Sequence, residues 1–455
     1  MKIKINQAAL KIVTTLTKAG YEAWIVGGAV RDSLLSRETK DWDVTTNARP
    51  EQMMPLFADS FYDNTYGTVM VAGKHLKEQF DLSADSTLDE VIFDITTYRT
   101  EHGYSDKRRP DSVVWGKTVE EDLARRDFTV NAIAMGVNGE LIDPYSGEAD
   151  LKNGVIRAVG NPSERFQEDA LRILRAVRLG AELGFVIESK TLAAIKETSL
   201  NLKHISWERI GAEVMRVLGS PNPADGVLLM ASTGILDIVM PEMLATRQVQ
   251  QGGHHVYDVF THSIEALRAC SSPDPVVRLA TLLHDVDKPV VAKPGGERGV
   301  TFYGHEVSGA RTAKRIAERL RLSKKDQDRV FTLVRWHMFV YEPKMTDASI
   351  RRFIRRVGKE NIHDMMALRI GDRVGGGSKA TSWRLTELQK RIGEQFYEPL
   401  SLKDLKVSGA DVMRVLAISP GRKVGEILNT LFEEVIEDSH KNDKEYLEKR
   451  VKELA

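Results

Sequence analysis

In the first third of the chain, hydrophobic and polar residues alternate over short stretches. Residues 41–46 alternate with a period of two, which is typical of a half-buried strand. Residues 21–26 form a short apolar run, and residues 68–72 and 91–99 are rich in Val, Ile, Thr and Tyr, so three more strands are predicted. The polar stretch 73–90 is predicted to be a loop. The pattern therefore predicts an N-terminal region built on a small sheet.

From about Glu168 onwards, apolar residues recur at intervals of three and four, the spacing that buries one face of a helix. Six segments show this spacing: residues 168–183, 207–218, 275–283, 309–320, 325–336 and 348–357. Turn- or linker-forming residues interrupt the chain at 160–162, 220–223, 250–253 and 375–377. These breaks predict five domains, at residues 1–160, 161–220, 221–254, 255–375 and 376–455.

Length and composition limit the class of protein. A chain of 455 residues can form about three ordinary cores. Its 65 Lys and Arg residues balance 65 Asp and Glu residues, so RNA binding would need a segregated basic surface. The single cysteine, Cys270, excludes an internal disulfide. Residues 1–10 lack the apolar run of a secretion signal, and no stretch approaches the roughly 18 apolar residues of a membrane span. A soluble cytoplasmic protein with no membrane partner is expected.

Two aspartates on the strand predicted at 41–46 indicate a metal site. Asp41 and Asp43 are two residues apart, so their side chains are expected on the same face. Paired carboxylates suit Mg²⁺, which prefers oxygen ligands and keeps positions open for phosphate oxygens. Upstream, Gly27 and Gly28 let the backbone approach a triphosphate, and Arg31 is a phosphate partner. Taken singly, each feature is also typical of an ordinary turn or a solvated strand.

Together, these features resemble the first motif of a known enzyme family. The run from Gly27 to Asp32, followed by a helix and then by Asp41 and Asp43, resembles the polymerase β-like nucleotidyltransferases. Within them, it resembles the bacterial class II CCA-adding tRNA nucleotidyltransferase and poly(A) polymerase family. The resemblance implies an α+β fold in which a nucleotidyltransferase head with a small mixed sheet precedes all-helical neck, body, HD and tail domains, in the order of the five predicted domains. It also implies that Asp41 and Asp43 hold Mg²⁺.

The resemblance implies two further features of the head. A third catalytic carboxylate is expected from Asp94, which could instead pair with Arg99 or Lys40. The polar segment 101–110 corresponds to a flexible loop that the family needs to add the terminal A, which favours CCA or A addition over CC addition.

Arg125, Arg126 and Asp127 match the next motif of the family. In physical terms, a guanidinium suits a phosphate, and a carboxylate suits the ribose 2′-hydroxyl that distinguishes an NTP from a dNTP. An isolated run of this kind would be a solvated patch. The assignment therefore depends on the position of the run and on the length of the match around it.

Asp169 and Arg172 open the predicted helix 168–183 and are expected to be neighbours on one helical face. One interpretation is an ordinary ion pair within the helix. The other is a protein template: the carboxylate accepts from an exocyclic amine while the guanidinium donates to the adjacent ring nitrogen. Cytosine and adenine both present that pattern, whereas uracil and guanine do not. The match to the family's base-reading motif favours the template.

Arg175 and Arg178 continue the series at three-residue intervals. They either reach the triphosphate or brace the base-reading pair. The segment 205–213 resembles the neck helix of the family, and it is expected to be structural, with no part in the chemistry.

A second group of residues resembles the metal site of the HD phosphohydrolase superfamily. The core ligands would be His262, His284, Asp285 and Asp372, with His305 and His337 as possible additional ligands. Such a group binds a divalent metal only if separate helices bring the ligands together. The alternative is a metal-free HD fold that has lost its activity. The basic segments 311–325 and 351–359 either contact RNA phosphates or are solvated helix faces.

The predicted function is template-independent addition of C and A to the 3′ end of tRNA, using CTP and ATP and releasing pyrophosphate. An A-adding enzyme or poly(A) polymerase that uses ATP alone is the nearest alternative. An HD phosphohydrolase or phosphodiesterase with an inactive head is the alternative from another class. A non-catalytic RNA-binding protein is disfavoured because both the metal carboxylates and the base-reading pair are present.

Overall fold

The computed structural model describes the chain except for residues 1–4, 40, 64–66, 83–85, 103–111, 252–255 and 296–298. It divides into two compact units, residues 1–239 and 240–455. The finer five-domain division stays a prediction. Among the described residues, no helix has both the length and the apolar character that crossing a bilayer requires.

The head is built on a mixed sheet. In chain order its strands, including those of a separate hairpin, are β1 (Ala23–Val26), β2 (Trp42–Thr46), β3 (Phe61–Asp63), β4 (Thr68–Ala72), β5 (Ile92–Thr97), β6 (Arg99–His102), β7 (Ser112–Trp115), β8 (Ala134–Met135) and β9 (Leu141–Ile142). The order in the main sheet is β3-β4-β5-β2-β1-β8-β9, and β6 pairs with β7 apart from it. Strands β2 and β5 are parallel, while β1 is antiparallel to β2. The four predicted strands and the α+β class are confirmed.

The register of β2 against β5 positions the candidate site. Asp43 lies opposite Asp94, and their neighbours Val44 and Ile95 are fully buried beneath the sheet. Because side chains alternate along a strand, burying Val44 and Ile95 turns both aspartates towards the other face.

Helices of the head cover the sheet: α1 (Gln7–Lys18), α2 (Gly28–Leu34), α3 (Pro50–Met53), α4 (Gly73–Gln79), α5 (Val119–Ala124) and α6 (Gly147–Asn153). The loop predicted at 73–90 is wrong for much of its length, since it contains α4 and a 3-10 turn at Ser86–Glu90. Leu76 and Leu88 are buried and anchor these two elements. A Cβ atom at Gly73 would lie 2.2 Å from the carbonyl oxygen of Leu88, so glycine permits that approach.

The rest of the first unit is mainly helical: β10 (Val155–Ile156), α7 (Pro162–Glu168), α8 (Leu171–Leu183), β11 (Val186–Ile187), α9 (Ser189–Thr198), α10 (Trp207–Gly219), α11 (Pro223–Ser232) and α12 (Leu236–Val239). Strands β10 and β11 form a small parallel pair, which the prediction of helices alone did not anticipate. The helix predicted at 168–183 is interrupted at Asp169, whose extended backbone (φ −138°, ψ 104°) separates α7 from α8. Asp169 and Arg172 therefore do not share one helix.

The second unit is also mainly helical: α13 (Pro241–Leu244), α14 (Val259–Ala269), α15 (Pro275–Leu283), α16 (Lys288–Val291), β12 (Lys293–Pro294), β13 (Val300–Thr301), α17 (His305–Arg319), α18 (Lys324–Trp336), α19 (Asp347–Val357), α20 (Ile362–Gly375), α21 (Trp383–Gln395), α22 (Gly409–Leu416), α23 (Arg422–Glu437) and α24 (Lys444–Glu453). The other five helical segments predicted from spacing are confirmed. Helix α20 packs closely against α14 at Gly371 and Gly375. A Cβ atom at either position would lie within 2.7 Å of the α14 backbone, so the absence of a side chain permits this approach. That contact brings Asp372 towards His262.

Candidate active site

Three carboxylates lie near one another at β2 and β5, two interior strands of the head sheet. Asp43 and Asp94 lie opposite each other on β2 and β5, and Asp41 is exposed just before β2. Burial raises the pKa of Asp43, and the charges of Asp94 and Asp41 raise it further against the opposing effect of Arg126. Burial and Asp41 likewise raise the pKa of Asp94. Carboxylates that repel one another in this way fit a site for a divalent cation.

The glycine turn and Arg126 lie beside these carboxylates. Gly27 joins β1 to α2 with φ +73°, and a Cβ atom there would be 2.9 Å from Arg126 Nη1 and 3.4 Å from Asp43 Oδ2. A side chain at Gly27 would therefore displace the arginine or crowd the carboxylate. Gly28 begins α2 and lies next to the Arg31 guanidinium.

Arg31 is already held by other residues of the head. Its Nη1 donates to Asn131 Oδ1 at 2.7 Å, and its Nε and Nη2 donate to the two oxygens of Asp32. The sequence analysis did not identify Asn131, which also donates to Asp127 and so links two of the predicted motifs.

A fully buried aspartate anchors the arginine pair. Asp122 Oδ1 accepts from Arg125 at 2.7 Å, and Asp122 Oδ2 accepts from Arg126 at 3.2 Å. Burial alone would raise the pKa of Asp122, but the two guanidinium groups lower it below its usual value. Asp122 was missed, although its spacing of three and four residues from the two arginines was a usable signal.

Asp127 is buried, and both of its oxygens are engaged. Oδ1 accepts from the Phe128 backbone and from Asn131, while Oδ2 accepts from Arg175 Nε at 2.7 Å. Burial would raise the pKa of Asp127, but Arg175 and Asn131 hold it well below its usual range. This contact ties Arg175 to Asp127, and the two roles predicted for Arg175, reaching the triphosphate and bracing the base-reading pair, stay predictions.

Asp169 and Arg172 have separate partners. Asp169 Oδ1 accepts from the Leu171 backbone and so caps α8, while both oxygens accept from Arg209 of α10, at 3.3 and 2.7 Å. Arg172 Nη1 donates to Glu168 at 2.6 Å and Nη2 donates to the Arg125 backbone. Neither residue is therefore held in place by an ion pair with the other. Arg209 lies in the segment to which the sequence analysis assigned no chemistry.

Arg178 of α8 contacts α10. It is 5% exposed, and its Nε lies 2.9 Å from Glu213 on α10. Each step of three residues turns a helix about 60° short of a full turn. Positions 172, 175 and 178 therefore rotate progressively around α8.

The second unit brings the six predicted HD residues together from five helices or their ends. The described residues include two compact groups of ligand atoms, each within 4.8 Å: His262, His284 and Asp372, and Asp285, His305 and His337. Asp285 joins them, because its Oδ2 lies 3.2 Å from His284 Nε2 and its Oδ1 lies 3.2 Å from His305 Nε2. We call these six residues the histidine cluster.

Hydrogen bonds around the histidine cluster fix the orientation of its rings. The Nδ1 atoms of His284, His305 and His337 each lie 2.7 Å from a backbone carbonyl oxygen. A carbonyl can only accept, so each Nδ1 donates and each Nε2 faces the centre, where the neutral form of the ring offers a lone pair to a cation. The Nε2 atoms of His262 and His284 face each other at 3.0 Å. Such an arrangement fits a bound cation.

Charges inside the histidine cluster also fit a bound cation. Burial would lower the pKa of His284, but Asp285 and Asp372 raise it to about 10. Burial and the charge of His284 lower the pKa of His337 to about 3. Lys288, which the sequence analysis did not assign, is buried beside the cluster with its Nζ 2.6 Å from Asp285 Oδ2. The anionic side of the cluster thus attracts positive charge from its surroundings.

Two other predicted elements bear on RNA binding. The polar loop predicted at 101–110 falls outside the described residues from position 103 onwards. In the basic segments 311–325 and 351–359, several cations already have protein partners. Lys314 pairs with Asp328 and Arg319 with Glu242, while Arg351 is buried and donates to the Ile436 backbone. For Lys314 and Arg319, these contacts favour a solvated helix face over contact with RNA phosphates, whereas Arg351 is buried.

Three family models match the chain. A model described as the poly A polymerase head domain matches residues 23–157, and one described as a probable RNA- and SrmB-binding site of polymerase A matches 184–246. A model described as tRNA nucleotidyltransferase domain 2, putative, matches 304–451, which overlaps the predicted HD and tail domains.

Relatives match over nearly the whole length. The CCA-adding enzyme of Ligilactobacillus salivarius is 33% identical over 98% of this chain and 96% of its own. The A-adding tRNA nucleotidyltransferase of Deinococcus radiodurans is 33% identical over 90% of this chain and 91% of its own. Among solved structures, the Bacillus stearothermophilus CCA-adding enzyme in complex with CTP has a TM-score of 0.72 at 27% identity, covering 98% of this chain and 96% of that one.

Proposed function

The chain belongs to the family of CCA-adding enzymes and related tRNA nucleotidyltransferases, and we propose that it adds C and A to the 3′ end of tRNA. CTP and ATP are the substrates, and pyrophosphate is released. The observation that carries the proposal is the β2–β5 register, which sets Asp43 beside Asp94 next to the glycine turn.

The head residues have distinct roles in this reaction. Asp41, Asp43 and Asp94 would hold Mg²⁺, which lowers the pKa of the RNA 3′-hydroxyl and offsets the charge of the triphosphate. Gly27 and Gly28 keep the space beside the carboxylates open. The remaining residues position the substrates, since no covalent intermediate is needed for in-line attack on the α-phosphate.

Phosphate binding would depend on Arg126, whose guanidinium lies between the glycine turn and the carboxylates. Asp122 holds that guanidinium, while Arg125, tied to the same aspartate, contributes its backbone carbonyl to Arg172. Asp127 acts through Asn131 and Arg175, because its two oxygens are already occupied. Arg31 would reach a phosphate only by exchanging its present contacts with Asp32 and Asn131.

Asp169 and Arg172 select the nucleotide. A carboxylate that accepts from an amine and a guanidinium that donates to a ring nitrogen fit the shared edge of cytosine and adenine. Uracil or guanine would leave groups unsatisfied, at a cost of about 1–3 kcal/mol for each group in a dry site. Because the pair accepts both C and A, it favours CCA addition over an enzyme restricted to ATP.

A tRNA extension assay tests this function. A transcript that lacks CCA is incubated with CTP alone, ATP alone or both. CCA addition predicts two added residues with CTP and three with both nucleotides. Extension of a tRNA that already ends in CC, combined with none on the shorter transcript, would identify an A-adding enzyme instead. Incorporation of U or G as readily as C or A would contradict the proposal.

A second activity is proposed for the histidine cluster: metal-dependent hydrolysis of a phosphate ester. The observation that favours it is the set of Nε2 atoms that face one another beside two carboxylates. A divalent metal bound there would activate water for attack on phosphorus. Hydrolysis of bis(p-nitrophenyl) phosphate is measured with Mg²⁺, Mn²⁺, Ni²⁺ or Co²⁺ in the full chain and in His284→Ala. Activity that persists in the variant would place hydrolysis elsewhere.

A further inference from the structure

Helix α10 contributes an arginine to the base-reading segment. Arg209 grips Asp169 through both nitrogens, with Nη2 2.7 Å from Oδ2 and Nη1 3.3 Å from Oδ1. We propose that Arg209 is a specificity-determining positioning residue, which fixes the Asp169 carboxylate in the orientation that reads the base. The inference rests on the proposed function, because it assumes that Asp169 contacts the base.

The contacts of Asp169 explain how this would work. A carboxylate offers about four lone-pair sites, and three are filled by two N–H groups of Arg209 and by the Leu171 backbone. The site left on Oδ2 of the carboxylate can only accept a hydrogen bond. An incoming base must therefore bring a donor, as the amines of cytosine and adenine do, and a carbonyl is repelled.

Asp169 and Arg172, the two residues that read the base, are anchored by different helices. Arg172 is held from α7 by Glu168 and by the Arg165 backbone, whereas Asp169 is held from α10 by Arg209. The distance between the Asp169 carboxylate and the Arg172 guanidinium therefore depends on the position of α10. A bidentate ion pair transmits that position with little rotational freedom.

Stability alone does not account for the Arg209–Asp169 pair. Helices α8 and α10 are already joined by the buried Arg178–Glu213 pair and by apolar residues such as Val214 of α10. The side chains of Arg209 and Asp169 are 26% and 17% exposed, and partly solvated pairs contribute little to folding. Removing Arg209 is therefore expected to change base selection more than the free energy of unfolding.

The test measures kcat/KM for each of the four NTPs on a tRNA transcript that lacks CCA. In Arg209→Gln, the preference for C over U is expected to fall about tenfold, mainly through a higher KM for CTP. Arg209→Lys retains a charge and is expected to recover part of the preference. Arg216→Gln is the matched control, because Arg216 lies on the same helix, is 57% exposed and meets Glu182 at 3.4 Å; it is expected to behave like the unaltered chain.

The outcomes separate this inference from the proposed function. If Asp169→Asn loses the preference while Arg209→Gln keeps it, the inference is wrong and the function stands. An equal loss with all four NTPs in Arg209→Gln, or an equal loss in Arg216→Gln, would also overturn the inference, because it would indicate general damage to the fold. If the unaltered chain shows no preference, or Asp169→Asn keeps it, the proposed base reading itself fails.

Discussion

The head carboxylates and the histidine cluster are both candidate metal sites, but they are built differently. In the head, Asp43 and Asp94 stand side by side on two strands, while Asp41 is exposed. In the second unit, six ligands form two groups within 4.8 Å, and His262, His284 and Asp285 are each at most 2% exposed. A metal in the head would keep positions open for substrate oxygens, whereas a metal in the cluster would take most of its ligands from the protein.

This difference indicates what each metal would do. A site completed by a triphosphate assembles with its substrate and holds Mg²⁺ weakly beforehand. A site completed by oriented histidines binds metal before any substrate arrives, and its metal contributes to the stability of the fold. The two sites should therefore separate in activity, in stability and in response to chelators.

The largest effect is expected from Asp43→Asn. A loss of activity at both sites in this variant would contradict the view that the two sites are independent. The amide keeps the volume of the side chain but removes the charge that a cation needs. Nucleotide addition should fall by about 10³-fold or more, with hydrolysis at the histidine cluster retained. Primer extension and ester hydrolysis are measured on the same preparation.

Asp89→Asn is the matched control, because Asp89 is a half-exposed aspartate of the head that pairs with Lys77. It should leave nucleotide addition within twofold of the unaltered rate. Full activity in Asp43→Asn would remove the head carboxylates from the mechanism.

The second prediction concerns a buried charge that binds no metal. Arg178→Met leaves Glu213 buried without its partner and should destabilise the first unit by about 3 kcal/mol. Urea unfolding of the full chain measures the change, and a second transition from the other unit serves as an internal reference. Arg216→Met, on an exposed arginine of α10, should change stability by less than about 0.5 kcal/mol. Equal effects from the two variants would show that burial does not distinguish these pairs.

The third prediction concerns the effect of metal removal on the stability of the second unit. If the histidine cluster binds metal before substrate, free metal at a hundredfold excess over its Kd should stabilise the second unit by about 2.7 kcal/mol. A chelator should lower the thermal midpoint accordingly. The same shift should persist in Asp43→Asn and vanish in His284→Ala. A shift that vanished in Asp43→Asn would instead assign the stabilising metal to the head.

Local patterns, together with the family resemblance, were enough to identify the candidate ligands of both sites. Asp43 was identified because a period of two assigns both aspartates to one strand face, and the run from Gly27 is a local turn. The six histidine-cluster residues were identified from residue type and from their resemblance to a known set. Of the helices that carry them, α15, α17 and α18 were predicted from amphipathic spacing, a local property of the chain, whereas α14 and α20 were not among the predicted segments.

Local patterns failed where partners come from distant segments. Asp169 was expected on a continuous helix with Arg172, but its extended backbone and its contacts with Leu171 and Arg209 interrupt that helix. The predicted loop at 73–90 failed because burial of Leu76 and Leu88 outweighs the polar composition around them. In each case, tertiary contacts decided between local conformations of similar energy.

Residue order alone specifies which chemical groups the protein has and which short segments carry them. Which of these groups meet follows from the packing of distant segments: Asp43 with Asp94, Asp127 with Arg175, Asp169 with Arg209, and Arg178 with Glu213. The physical reason is that strand register and helix packing set these distances. A strand's alternation or a helix's period fixes the direction of a side chain but not the partner it reaches.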